Sequence, residues 1–302
     1  MKVDSTFAER PSTLIVIPGF LTEPHRLAQE RPSEALDALD PTSYLDRRAW
    51  LKSISAVCDD HVSVECFEWG SQSALHVLTE LISPLITRES PSATGSSKLA
   101  SRISQIAAEL HSSWRTARDE ADRSVDDLCS QILSTPEPER VMIVAHSLGA
   151  RIALRALDRL HRSGERALPK LSAWAPALSE SEMSCEAIAQ IATPPEVIYS
   201  RADLVLKYVF PLGQGPRPQM SIFGGLSLLA TLASSEPRKR ALGLVGPPAS
   251  APSLASIALD LTDRPMTHLG YLPAAEYIFR SSLYLSDLTR GSSNTTPRRL
   301  ES

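Results

Sequence analysis

Residues 141–160 constrain this chain more than any other stretch. Val141–Ala145 (VMIVA) is a continuous apolar, mostly β-branched run, as a strand covered on both faces requires. Directly after it, Leu148, Ile152, Ala153, Ala156, Leu157 and Leu160 fall on one helical face, and Gly164 is placed to stop that helix. The junction Ala145-His146-Ser147-Leu148-Gly149 is therefore a strand–serine–helix turn. A turn that sharp needs small residues two before and two after the serine, and Ala145 and Gly149 supply them. Ala145 stands where the first glycine of G-x-S-x-G would be. The turn lifts the Ser147 hydroxyl out of the sheet beside helix N-terminal amides, which favour developing negative charge.

Other apolar runs repeat the pattern. Thr13–Ile17, Val62–Phe67, Leu171–Trp174, Glu196–Tyr199 and Ser256–Leu261 read as strands. Leu27–Leu39, Arg47–Val57, Ser73–Leu85 and Ile103–Leu133 carry helical spacing. Strands alternating with helices predict an α/β fold, a mainly parallel central sheet with helices on both faces. At about 150 residues per domain the length suggests two domains, but α/β folds often use such a length as one. We expect one domain over residues 1–289 with a lid or cap insertion at 211–250, and a disordered polar tail over 290–302. Within that insertion the apolar Met220–Ala233 reads equally as a core helix or as a cap over the site. Arg88–Lys98 reads as a polar loop.

Composition removes several function classes. The net charge of −4 and the absence of a long basic block argue against nucleic-acid binding. None of Cys58, Cys66, Cys129 and Cys185 forms a C-x-x-C pair, so neither a zinc ribbon nor a thioredoxin-type site is indicated, and reduced thiols in the cytoplasm are the expectation. The first residues hold no apolar secretory core, and Met220–Ala233 is shorter than the roughly 18–20 residues that cross a bilayer. No metal or cofactor motif is present, so none is expected.

A nucleophilic serine needs a base, and the base needs an acid that orients it. In strand–serine–helix hydrolases the chain order is Ser, then Asp or Glu, then His. Only His161 and His268 follow Ser147, and His161 lies late on the same helix, about 20 Å away. His268, in the loop after the last strand-like run, is the expected base. Asp203, just beyond Glu196–Tyr199, is the first candidate acid, with Asp260 and Asp263 as rivals beside the histidine loop. The oxyanion donors are expected to be the backbone N–H groups of Leu148, after the nucleophile, and Phe20, in the Pro18-Gly19-Phe20-Leu21 loop after the first strand. His146 reads as a packed or hydrogen-bonded turn residue, Arg151 as a structural ion-pair member, His25 as a candidate substrate contact, and Trp50, Trp69, Trp114 and Trp174 as packing residues before pocket-lining ones.

Five stretches in order also carry a family resemblance. They are Val16–Glu23 (VIPGFLTE), Phe67–Ser71 (FEWGS), His146–Arg151 (HSLGAR), Val197–Tyr208 (VIYSRADLVLKY) and Thr267–Tyr271 (THLGY). Together they resemble the α/β-hydrolase family described as transmembrane and coiled-coil domain-containing protein 4-like, also called the domain of unknown function 726 family. The resemblance covers roughly residues 13–275, and its most specific part is the acid loop. It implies an α/β-hydrolase fold with Ser147, Asp203 and His268 as the triad, and it demotes Asp260 and Asp263. Phe20 and Leu204 stand where the family often has Trp, and Gly70 where it has an acidic residue. The expected activity is cleavage of a carboxylic ester, a lipid ester among the candidates, with peripheral membrane contact as an accompanying expectation. The alternative is a catalytically silent scaffold that binds membranes or partner proteins.

Overall fold

The computed structural model describes residues 11–19, 47–70, 96–182, 185–189, 191–214, 240–264 and 266–289. Six strands form one sheet: β1 (Thr13–Ile17), β2 (Ser63–Cys66), β3 (Val141–His146), β4 (Lys170–Trp174), β5 (Glu196–Tyr199) and β6 (Leu259–Asp260). Their spatial order is β2-β1-β3-β4-β5-β6, and every neighbouring pair is parallel. The described helices are α1 (Arg47–Val57), α2 (Ser96–Ser134), α3 (Leu148–Arg162), α4 (Cys185–Ala189), α5 (Phe210–Gln214), α6 (Leu242–Val245), α7 (Pro252–Ile257) and α8 (Ala275–Ser281).

The direction of travel through the sheet reverses after β2. The chain steps from β1 to β2, returns to place β3 on the other side of β1, and then runs outward through β4, β5 and β6. Right-handed crossovers put the connections of the two halves on opposite faces of such a sheet. The reversal falls between β1 and β3, and in open α/β sheets ligands usually bind at the carboxyl ends of the strands beside such a point.

β3 occupies the middle of this arrangement and is buried along its whole length, which its unbroken apolar composition permits. Helix α3 follows it and buries Leu148, Ile152, Ala153, Ala156, Leu157 and Leu160, the six residues of the predicted face. Ala150, Arg151 and Leu154 are buried as well. The cause is α2, which packs along α3 and covers the flank that would otherwise meet water. Elsewhere α1 and α8 lie together, and Trp50 and Phe279 from these helices both meet the Trp174 ring, each with centroids 6.1 Å apart. The C-terminal turn docks beside α1 through the backbone bond from Asp59 N–H to the Leu288 carbonyl, 2.8 Å.

The short helices α4, α5, α6 and α8 have no counterpart in the sequence reading, and one predicted strand changes type. Ser256–Leu261 is not a continuous strand: Ser256 and Ile257 close α7, and only Leu259 and Asp260 pair with β5. Pro252 starts that helix, since its fixed φ suits the first turn and it has no N–H to satisfy. The polar stretch Arg88–Lys98 ends inside α2, which already begins at Ser96. The predicted helices Leu27–Leu39 and Ser73–Leu85, the segment Met220–Ala233 and the tail 290–302 lie outside the described residues, as does most of the 211–250 insertion. Its two described ends are tied to the body. Gln214 accepts a hydrogen bond from Arg118 of α2, and Ala241 forms an antiparallel bridge with Ser179. Among the described residues, no helix is long and apolar enough to cross a membrane.

Candidate active site

Ser147 sits between β3 and α3 with φ 55° and ψ −120°, a backbone conformation that L-residues with a Cβ rarely adopt. The surrounding backbone holds it there. Its N–H donates to the Trp174 carbonyl at 3.0 Å, and its carbonyl accepts from Ala177 N–H at 3.1 Å. Both partners belong to the end of β4 and the loop beyond it. The strand register that pairs His146 with Trp174 thus carries straight into the turn.

Three side chains from three different loops meet at this point. The Ser147 hydroxyl donates to His268 Nε2 at 2.9 Å, and His268 Nδ1–H donates to Asp203 Oδ2 at 2.7 Å. All three residues are buried. They leave the carboxyl ends of β3, β5 and β6, so a parallel sheet brings together groups that lie 65 and 121 residues apart in the chain. Asp203 Oδ1 is used differently: it accepts the Leu206 N–H at 3.0 Å and caps the helical segment that runs through the π-type turn Val205–Val209 into α5. One carboxylate therefore caps a helix with one oxygen and orients the imidazole with the other.

The rival acids are elsewhere. Asp260 is exposed and accepts from its own loop, from Thr262 N–H at 2.8 Å and from the Thr262 hydroxyl at 2.5 Å. Asp263 is exposed as well. Arg264, beside them in the same loop, stacks on the Tyr277 ring at 3.4 Å from its centroid.

The oxyanion candidates are only half in view. Leu148 is the first residue of α3, so its N–H has no acceptor within the helix. Phe20 lies outside the described residues, as does His25. Its predecessor Gly19 is described, and a Cβ there would stand 2.7 Å from Ser147 Cβ, so only glycine lets the loop after β1 come this close. Trp69 fixes that loop from outside, donating its Nε1–H to the Pro18 carbonyl at 2.9 Å, while Arg47 holds the Trp69 carbonyl at 2.7 Å. Sequence reasoning counted Trp69 only as a packing residue. The residues that would have revealed its role are 51 positions away in the chain.

Two further residues frame the site. Arg151, one turn into α3, binds Asp122 of α2 through two bonds of 2.9 and 3.1 Å and Glu182 through one of 2.5 Å. Burial works against its charge, but these partners outweigh it and hold its pKa above the ordinary value. Arg151 is thus a structural ion-pair member, as its sequence position implied. His146 is buried beside His268, with ring centroids 4.7 Å apart, and touches Trp50 and Tyr271 on its other sides. Burial first, and then the neighbouring His268, push its pKa well below the ordinary histidine value, so it is neutral at physiological pH.

Comparison of the chain with protein-family models, with curated proteins and with solved structures gives no match.

Proposed function

We propose that this chain is a serine hydrolase that cleaves a carboxylic ester through an acyl-enzyme intermediate. The observation that carries the reading is the unbroken line Ser147–His268–Asp203, with bonds of 2.9 and 2.7 Å. Ser147 Oγ attacks the ester carbonyl while His268 Nε2 takes its proton. Asp203 keeps the imidazole in the Nδ1–H tautomer and stabilises the imidazolium. The tetrahedral oxyanion is held by the Leu148 N–H and, from its place in the sequence, the Phe20 N–H. As the carbonyl reforms, the C–O bond to the alcohol breaks and His268 returns the proton to that alcohol. Water then attacks the acyl-serine, His268 accepting its proton and passing one back to Ser147 Oγ as the acid leaves. The chain's own residues suffice for this sequence of steps.

The same reading includes an α/β-hydrolase fold and membership of the family the five motifs resemble. Its support is the placement of the three groups after β3, β5 and β6 in the order Ser, Asp, His. A cytoplasmic location belongs to it too, supported by four cysteines that form no disulfide. A small-molecule or lipid ester is the substrate class, and a peripheral membrane contact is one route to it. Ser147 and His268 are only 2% and 3% exposed. That closure is what favours the second reading, a silent scaffold that binds membranes or partners.

The test is labelling with a fluorophosphonate probe, with and without phospholipid vesicles, of the native protein beside Ser147→Ala and His268→Ala. Labelling of the native protein alone is expected. Failure of the native protein to label under either condition overturns the hydrolase reading in favour of the scaffold.

A further inference from the structure

His268 reaches Ser147 from the weakest part of the sheet. Its loop leaves β6, an edge strand with only two paired residues, and turns through the backbone bond from Gly270 N–H to the Thr267 carbonyl, 2.9 Å. A loop hung on so short a ladder needs a second hold if its side chain is to stay within a few tenths of an ångström of a reacting position. That hold comes from the centre of the sheet. His146, the last residue of β3, donates its Nε2–H to the His268 backbone carbonyl at 3.0 Å. A carbonyl oxygen only accepts, so the bond itself places the His146 proton on Nε2.

We propose that His146 is a positioning residue for the histidine base. Two consecutive residues of one turn then bracket His268: Ser147 meets its side chain and His146 its backbone. Because His146 and Ser147 share a peptide bond, any movement of the turn carries nucleophile and anchor together, and the distance between nucleophile and base is kept. The ring contact at 4.7 Å restricts the plane in which the His268 imidazole turns. Trp50 at 5.0 Å and Tyr271 at 5.7 Å confine His146 in turn. The neutrality of His146 suits this place, since it sets no second positive charge beside the imidazolium that forms during the reaction. A residue that merely fills space here would serve equally well as a phenylalanine. A residue that works through its N–H would not.

The proposal rests on the hydrolase reading, and the test separates the two. His146→Gln keeps an N–H donor at the position of Nε2, whereas His146→Phe keeps the ring and loses the donor. Fluorophosphonate labelling of Ser147 is followed at saturating probe for the native protein and both variants, with thermal unfolding beside it. The maximal labelling rate of His146→Phe is expected to fall on the order of 10–100-fold with the apparent probe affinity little changed, as small misplacements of a reacting group do. His146→Gln is expected to stay within several-fold of the native protein. Native-like labelling of His146→Phe, or a Gln variant as slow as the Phe variant, overturns the proposal. A native protein that does not label overturns the hydrolase reading, and a second measurement then decides this one without turnover. The low-field Nδ1–H proton resonance of His268 in NMR spectra is expected to survive in His146→Gln and to broaden away in His146→Phe. Its persistence in the Phe variant overturns the positioning role. Should His146→Phe not fold, His146→Met provides the donor-free comparison by the same two readouts.

Discussion

Gly149 and Ile17 touch backbone to backbone: a Cβ on Gly149 would stand 2.3 Å from the Ile17 carbonyl oxygen and 2.7 Å from that of Pro18. The first turn of α3 is therefore pressed onto the end of β1. This contact bears on how near the loop carrying Gly19 comes to Ser147. A small residue two positions after the serine is required by its own sharp turn, but here the neighbouring strand demands glycine in particular.

Gly149→Ala should accordingly cost stability, although alanine is the better helix former. Neither carbonyl is the end of a flexible side chain, so the backbone itself must give way. A loss of about 1–3 kcal/mol is expected, typical of over-packing. Urea unfolding of the purified variant measures it. Stability equal to or above that of the native protein would show that α3 can move off β1 freely.

Asp203→Asn tests the acid. The amide retains the shape but can present a donor to His268 Nδ1, favouring the wrong tautomer. If the site works as proposed, turnover or labelling of Ser147 should fall by roughly 10⁴-fold. The cap on the Leu206 N–H is retained if the side-chain oxygen faces that way, so the thermal midpoint should move little. Undiminished labelling would remove Asp203 from the mechanism.

Arg151→Ala leaves Asp122 and Glu182 without their buried partner. Glu182 is the more enclosed of the two. Burial raises its pKa, but Arg151 and the Ser179 donors outweigh that and lower it overall. Breaking such a pair from one side costs about 3–5 kcal/mol, because a buried charge is left uncompensated. Chemical denaturation at neutral pH should register that loss, and a deficit below about 1 kcal/mol would mean that water reaches the site freely. The double variant Arg151→Met with Glu182→Gln should be less damaged than the single change.

Glu196 provides a pH test at the opposite end of the sheet. Its carboxylate accepts from Ser172 at 3.0 Å, Ser282 at 2.5 Å and Leu283 N–H at 2.8 Å, yet burial still raises its pKa above 4.5. The folded state then holds the proton more tightly than the unfolded chain. Stability from this group is fully present below pH 4.5 and falls as pH rises through the raised value. Unfolding of the native protein and Glu196→Gln across a pH series should show the native protein gaining on the variant as pH drops from neutrality. A difference that stays flat with pH would contradict the burial argument.

Much of the scaffold was legible because it is locally encoded. Thr13–Ile17, Arg47–Val57 and Glu196–Tyr199 begin and end where their apolar spacing says they should. Ser147, Asp203 and His268 could be picked out because each follows such a run, and the order of the three in the chain limited the choice. Ser256–Leu261 was misread because a short apolar stretch fits a strand and a helix equally, and Pro252 tipped it toward helix.

What the chain's local patterns determined by themselves is most of the strands, the helices Arg47–Val57 and Leu148–Arg162, the strand–serine–helix turn and the candidate acid and base. Only the tertiary structure decided which strands are neighbours and which backbone groups support the site. Strand order, the Trp69 hold on Pro18 and the His146 hold on His268 join residues 51 and 122 positions apart. No periodicity within a window can encode such pairs, because they form only once crossovers have closed and the strands lie side by side. Local spacing reports which face of a segment avoids water, whereas long-range hydrogen bonds report where the packed segments finally meet.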